Sequence, residues 1–156
     1  MSDVMDRVSE AGHDTMLLVA RAAMAAIFLP SGFQKLTHLG AFAASLSQHG
    51  VPDATQLAPL AASVEFFGAL LILTGTRFRW AALLMAGFTA VAALISHRFW
   101  ELGEAARAAQ EVQFMKNLAI LGGFLALFVA GPGLYSVDHG LARRYTPMRG
   151  WARRWR

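Results

Sequence analysis

Four long apolar runs dominate the chain, with short polar stretches between them. Residues 57–76 contain a single charged side chain, Glu65, and residues 80–96 and 117–135 contain none. The runs are rich in alanine, leucine and phenylalanine. They are apolar on every side and show no strand-like alternation. A helix that crosses a bilayer needs about 20 such residues. The pattern therefore predicts four membrane-spanning helices, at about Thr15–Leu36, Leu57–Gly75, Phe78–Arg98 and Val112–Ala130. Gly75-Thr76 allows only a tight turn between the second and third, and Gly131-Pro132-Gly133 stops the fourth. Two longer connections, Thr37–Gln56 and Phe99–Glu111, share one side of the membrane. The first can hold a short amphipathic helix with Phe42 and Leu46 on one face, and Pro52 and Pro59 bracket the entry to the second span.

Composition agrees. Of 156 residues, 56% are hydrophobic and only 15% charged, and mean hydropathy is +0.43. A small soluble domain needs more polar surface than this. A large nucleotide-binding fold and a soluble catalytic domain are excluded. With no cysteine, so are disulfides, iron–sulfur clusters, thiolate zinc sites and thiol–disulfide exchange. No two of the five histidines are spaced to ligate a metal from one helix face, and no metal site is expected.

The expected fold is an all-α, transmembrane four-helix bundle with both termini cytoplasmic. Arginines crowd the C-terminal tail and the turn between spans two and three, which the positive-inside rule places in the cytoplasm. The leader carries Asp3, Asp6, Glu10 and Asp14 against Arg7, so the first span does not resemble a cleaved signal peptide. The expected organisation is a cytoplasmic segment over residues 1–14, a membrane domain over 15–140 and a basic tail over 141–156. That tail, with six arginines, Tyr145, Trp151 and Trp155, reads as an interfacial segment for anionic lipid, not a nucleic-acid site. Small residues should pack the spans: Ala22, Ala23, Ala25 and Ala26 on the first, and Gly68, Gly87, Gly122 and Gly123 on the others.

Polar residues within spans are expensive and therefore informative. Those at issue are Arg21, Gln34, Lys35, Glu65, His97, Gln113, Lys116 and Asn117. At a rise of about 1.5 Å per residue, Glu65 lies roughly 12 Å below the outer end of its span and Lys116 about one turn below the end of its own. Glu65 is then within reach of Arg21 from below or Lys116 from above. One reading of the set is structural: ion pairs fix helix register, Lys35 snorkels, and His97-Arg98-Phe99-Trp100 anchors the interface. The other is an outward-facing pocket walled by Phe33, Phe66, Phe67 and Phe99. Its donors suit a quinone-like head group or a small anion. Glu65 and His97 would relay protons, and Arg21, Gln34, Lys35, Lys116 and Asn117 would bind the carrier.

Taken in order, these segments resemble the DoxX family of small four-helix membrane proteins. The segments are Leu-Leu-Val-Ala-Arg (17–21), Phe-Leu-Pro-Ser-Gly-Phe-Gln-Lys-Leu (28–36), Ser-Val-Glu-Phe-Phe-Gly (63–68), His-Arg-Phe-Trp (97–100), Gln-Phe-Met-Lys-Asn-Leu-Ala (113–119) and Gly-Pro-Gly-Leu-Tyr-Ser-Val-Asp (131–138). The resemblance implies a four-helix bundle in a bacterial inner membrane and marks Arg21, Lys35, Glu65, His97, Lys116 and Asn117, without assigning them roles. Relatives include the small membrane subunit of archaeal thiosulfate:quinone oxidoreductase and proteins linked to oxidoreductase assemblies in oxidative-stress defence. The polar pocket and the resemblance together lead to the expectation of a membrane subunit of a redox system that binds quinone or a similar lipid-soluble carrier, with a partner oxidoreductase or a second copy of the chain beside it. A non-catalytic membrane anchor for such a partner, and a transporter of a small anion or metabolite, are the alternatives.

Overall fold

The computed structural model describes residues 2–145, so most of the basic tail lies outside the described residues. Six α-helices follow in order: α1 (Ser2–Thr37), α2 (Leu39–Gln48), α3 (Ala54–Thr74), α4 (Phe78–Ser96), α5 (Glu104–Ala130) and α6 (Val137–Tyr145). A 3₁₀ turn, Phe99–Glu101, joins α4 to α5. Four segments are long and apolar enough to span a membrane: Gly12–Thr37, Ala54–Thr74, Phe78–Glu101 and Glu104–Ala130. The expected all-α bundle of four spanning helices is what forms, and α2 is the short helix anticipated in the first long connection.

Three helix starts differ from expectation. Helix α1 runs from Ser2, ahead of the span start expected at Thr15, α3 starts at Ala54 instead of Leu57, and α5 starts at Glu104 instead of Val112. The last difference shortens the loop expected over residues 99–111. Residues 104–111 read Glu-Ala-Ala-Arg-Ala-Ala-Gln-Glu. These are strong helix formers that hydropathy alone scores as loop.

The spans pack around a ring, α1 on α3, α3 beside α4 and α4 on α5, with α1 and α5 touching least; α2 lies against α3. The apolar core fills one half of the bundle, with Ala25, Phe28, Ile72, Phe78, Met85 and Phe124 buried. Small residues permit close approach, but not all those anticipated. A Cβ on Gly32 would sit 2.7 Å from the backbone nitrogen of Phe66, so α1 and α3 meet main chain to main chain there. Gly68 faces the Met85 side chain and Gly123 faces Met24, whereas Gly87 and Gly122 have open space. Ala25 is buried, while Ala22, Ala23 and Ala26 face outward. Large side chains such as Val129, Trp80 and Val112 are also exposed on the perimeter, a surface that only hydrocarbon covers cheaply.

One end of the bundle is closed by polar clasps. Helix α3 ends in a Schellman motif: Gly75 takes a left-handed φ of 69° and the Thr76 N–H donates to the Leu71 carbonyl. The last carbonyls of α3 still need donors, and Arg21, 1% exposed, supplies them. Its Nε donates to the Ile72 carbonyl at 3.0 Å and its Nη2 to that of Leu73. Its Nη1 donates to the carbonyls of Pro132 and Tyr135 at 2.7 and 2.8 Å. A cation at a helix C-terminus also meets the negative end of its dipole. Asp138 does the converse for α4, accepting from the Arg77 and Phe78 N–H groups at 2.8 and 2.9 Å. Asp14 accepts from the Leu134 N–H at 2.9 Å. At the other, open end lie α2 and the 3₁₀ turn, tied by a bond of 2.6 Å from the Arg98 guanidinium to the His49 carbonyl.

Candidate functional site

The open half of the bundle holds a polar cavity of about 220 Å³ among all four spans. Helix α1 contributes Ser31 and Lys35, α3 Glu65, α4 Ser96 and His97 at its end, and α5 Gln113, Lys116 and Asn117. On α5, Gln113 and Asn117 are four apart and Lys116 three from Gln113, so all three share a helix face. Phe28, Phe88 and Ile120 supply apolar wall.

Glu65 anchors the site. Its carboxylate is 2.5 Å from the Lys35 ammonium, and its side chain is 3% exposed against 32% for that of Lys35. Its partner is therefore Lys35, and neither Arg21 nor Lys116 as the sequence had suggested. The reason is register. The Gly32–Phe66 contact sets α1 and α3 level, and Lys35 is three residues up α1 while Glu65 is one residue up the antiparallel α3. Their Cα atoms then differ in height by only about 3 Å. The Lys35 ammonium also lies 5.1 Å from the centre of the Phe42 ring on α2, a cation–π contact that holds it at the cavity wall. Lys116 has no ion-pair partner among the described residues.

His97 Nδ1 is 2.8 Å from Gln110 Oε1. With that oxygen accepting, Nδ1 carries the hydrogen, and the neutral ring's Nε2 accepts from whatever sits beside it. The Asn117 amide donates to the Gln113 carbonyl at 3.0 Å and keeps its oxygen available. No group of three or more histidine, aspartate or glutamate side chains gathers as for a metal among the described residues.

The structure thus brings together Lys35, Glu65, His97, Lys116 and Asn117, and leaves two expected site residues apart. Arg21 is spent on main-chain carbonyls at the closed end. Gln34 is exposed, its carbonyl accepting from Thr37 and the His38 N–H. The aromatic walls also change. Phe33 and Phe67 are exposed, and Phe99 packs edge-on against Trp100 and Phe114, so Phe28 and Phe88 take their place. Gln110, Ser31 and Ser96 were missed. Continuing α5 back through residues 104–111 puts Gln110, Gln113 and Asn117 at i, i+3 and i+7, a spacing that would have revealed the first.

A second cavity of about 300 Å³ adjoins the first. It lies between α3 and α4 under α2, is almost wholly apolar, and shares Lys35, Phe88, Ala92 and Ser96 with the polar cavity.

Fold and site define a small polytopic membrane protein with a polar chamber inside its helices. The DoxX family model matches residues 16–98, and the chain belongs to the DoxX family. It is 38% identical over 133 residues to inner membrane protein YqjF of Escherichia coli (strain K12), covering 85% of this chain and 97% of that one. It is 33% identical over 128 residues to inner membrane protein YphA of the same organism, covering 82% and 91%. No solved structure matches. The protein is a multi-pass protein of the inner membrane.

Proposed function

We propose that this protein is the membrane subunit of a redox system and binds a quinone, or a similar lipid-soluble electron carrier, in the polar cavity. The observation that carries the reading is a buried carboxylate, Glu65, paired with the partly exposed Lys35 ammonium and facing His97, Lys116 and Asn117 across about 220 Å³. A cavity of roughly 150 Å³ accommodates a benzene ring, so a substituted ring fits here. Burying a charged pair in a span is costly, and a neutral pair would hold the helices as well.

The carrier supplies two-electron, two-proton chemistry when bound. Lys116 and Asn117 donate hydrogen bonds to ring carbonyls. Glu65 at its carboxylate oxygen and His97 at Nε2 are the groups that would take up protons beside the bound carrier. The chain has no cysteine, and we assign the electron supply to a partner oxidoreductase or a small donor. With both termini cytoplasmic, the cavity opens in the outer half of the membrane.

The test is the quinone content of protein purified in mild detergent and extracted with organic solvent. Wild type is expected to carry near-stoichiometric quinone, and a Glu65→Gln, Lys116→Ala double variant to lose it. Absence of quinone from wild type as well would refute the reading and favour a membrane anchor for a partner.

A further inference from the structure

The geometry points to a tail compartment for the same ligand: a prenylated carrier enters sideways from the bilayer between α3 and α4, beneath α2, and lays its chain in the apolar cavity. This rests on the function proposed above and names the class of molecule more narrowly.

Three observations carry it. First, the two cavities adjoin, sharing Lys35, Phe88, Ala92 and Ser96 in their linings. A head group on the Lys35–Glu65 pair would direct a substituent into the apolar cavity. Second, the apolar cavity faces lipid. Leu60 is 61% and Val91 56% exposed where they flank it. Lys35 adds almost all the polarity of a lining otherwise made of aliphatic and aromatic side chains. Third, the helix faces run along the membrane normal. Leu57, Leu60 and Val64 line it on α3, at the i, i+3, i+7 spacing of one face. That stretch is about 10 Å long. Each cavity alone is no larger than the smallest ligand sites, of about 300 Å³, but the two together fall within the usual range.

The physics sets what the tail does. Hydrocarbon is as apolar as the groove, so moving the chain from lipid into it gains little hydrophobic free energy. The groove therefore orients and admits the ligand, and its effect is selection. A tailed quinone concentrated in the bilayer reaches the pair without crossing water, whereas a free anion has no reason to use this route.

The experiment measures equilibrium binding to the full chain in lipid nanodiscs. The probes are a benzoquinone head group without a tail and the same head group with a ten-carbon tail. Two variants obstruct the groove without touching the polar cavity: Ala61→Phe in its wall and Val91→Phe at its exposed mouth, the second in case the first fails to fold. The expected result is a loss of about tenfold or more for the tailed probe, the low end of what overpacking costs, with tailless binding at wild-type strength. Equal weakening of both probes, or of neither, would overturn the tail compartment while leaving the quinone reading standing. Failure of wild type to bind either probe would overturn both.

Discussion

Replacing Arg21 by methionine tests whether the closed end is held by main-chain carbonyls or by a functional charge. The guanidinium makes four bonds to carbonyls of two segments far apart in sequence, the end of α3 and the loop after α5. Hydrogen bonds to a charged group contribute about 1.5–3 kcal/mol each, a simple total of roughly 6–12 kcal/mol. The measured loss should be smaller. The carbonyls of Leu73, Pro132 and Tyr135 are bonded in part-buried settings, where water can replace the arginine. Removing a buried cation also relieves its desolvation cost. Only the bond to Ile72 is fully buried. We expect a loss near 3 kcal/mol, the low end for breaking a buried charged interaction. For a chain of this length that is a fall in Tm of roughly 6–12 °C, read by tryptophan fluorescence during heating in mild detergent. Arg21→Lys keeps the charge but not the planar fork of donors, and should fall between wild type and Arg21→Met. Bound quinone per folded molecule should stay at the wild-type level in both variants. A Tm within about 2 °C of wild type for Arg21→Met would refute the clasp. Selective loss of quinone with unchanged Tm would return Arg21 to the binding site.

Two further outcomes follow from the geometry. Gly32→Ala drives a methyl group into the backbone of Phe66 and should cost about 1–3 kcal/mol. It should also lower quinone content in the protein that still folds, because α1 can no longer hold Lys35 level with Glu65. Gly87→Ala, with open space around it, is the neutral control, and equal behaviour of the two in thermal unfolding would contradict the register argument. Asp138→Ala removes the cap on the start of α4 and should cost about 1 kcal/mol. Faster amide hydrogen exchange confined to the first turn of α4 is the expected signature, and unchanged protection there would show that the cap contributes nothing.

The parts of the molecule legible in the sequence are those that depend on one segment at a time. Four apolar runs specify four spans because lipid demands it of each independently. Gly75 and Gly131-Pro132-Gly133 stop helices through local backbone chemistry, and Phe42 and Leu46 mark α2 by local periodicity. The site depends on offsets between helices, and there the reading divided. Lys35, Glu65, His97, Lys116 and Asn117 were selected because any polar group at that depth must find company. Who pairs with whom followed from a single glycine. Depths counted from the end of each span carry an error of a turn at every boundary, and α5 alone begins eight residues before its expected start. That error exceeds the height difference of about 3 Å that joins Glu65 to Lys35. The same limit explains Arg21. Its partners are carbonyls, which every residue carries, so no side-chain pattern can announce them. The announcement lay in the helix stops themselves. A left-handed glycine at the end of α3 and a Gly-Pro-Gly loop after α5 leave orphan carbonyls at one level of the membrane. A buried arginine on α1 at that level is the donor such carbonyls require. Depth therefore separates the two most buried charges: Arg21, level with helix ends, serves the backbone, and Glu65, level with helix middles, needs a reason beyond the fold.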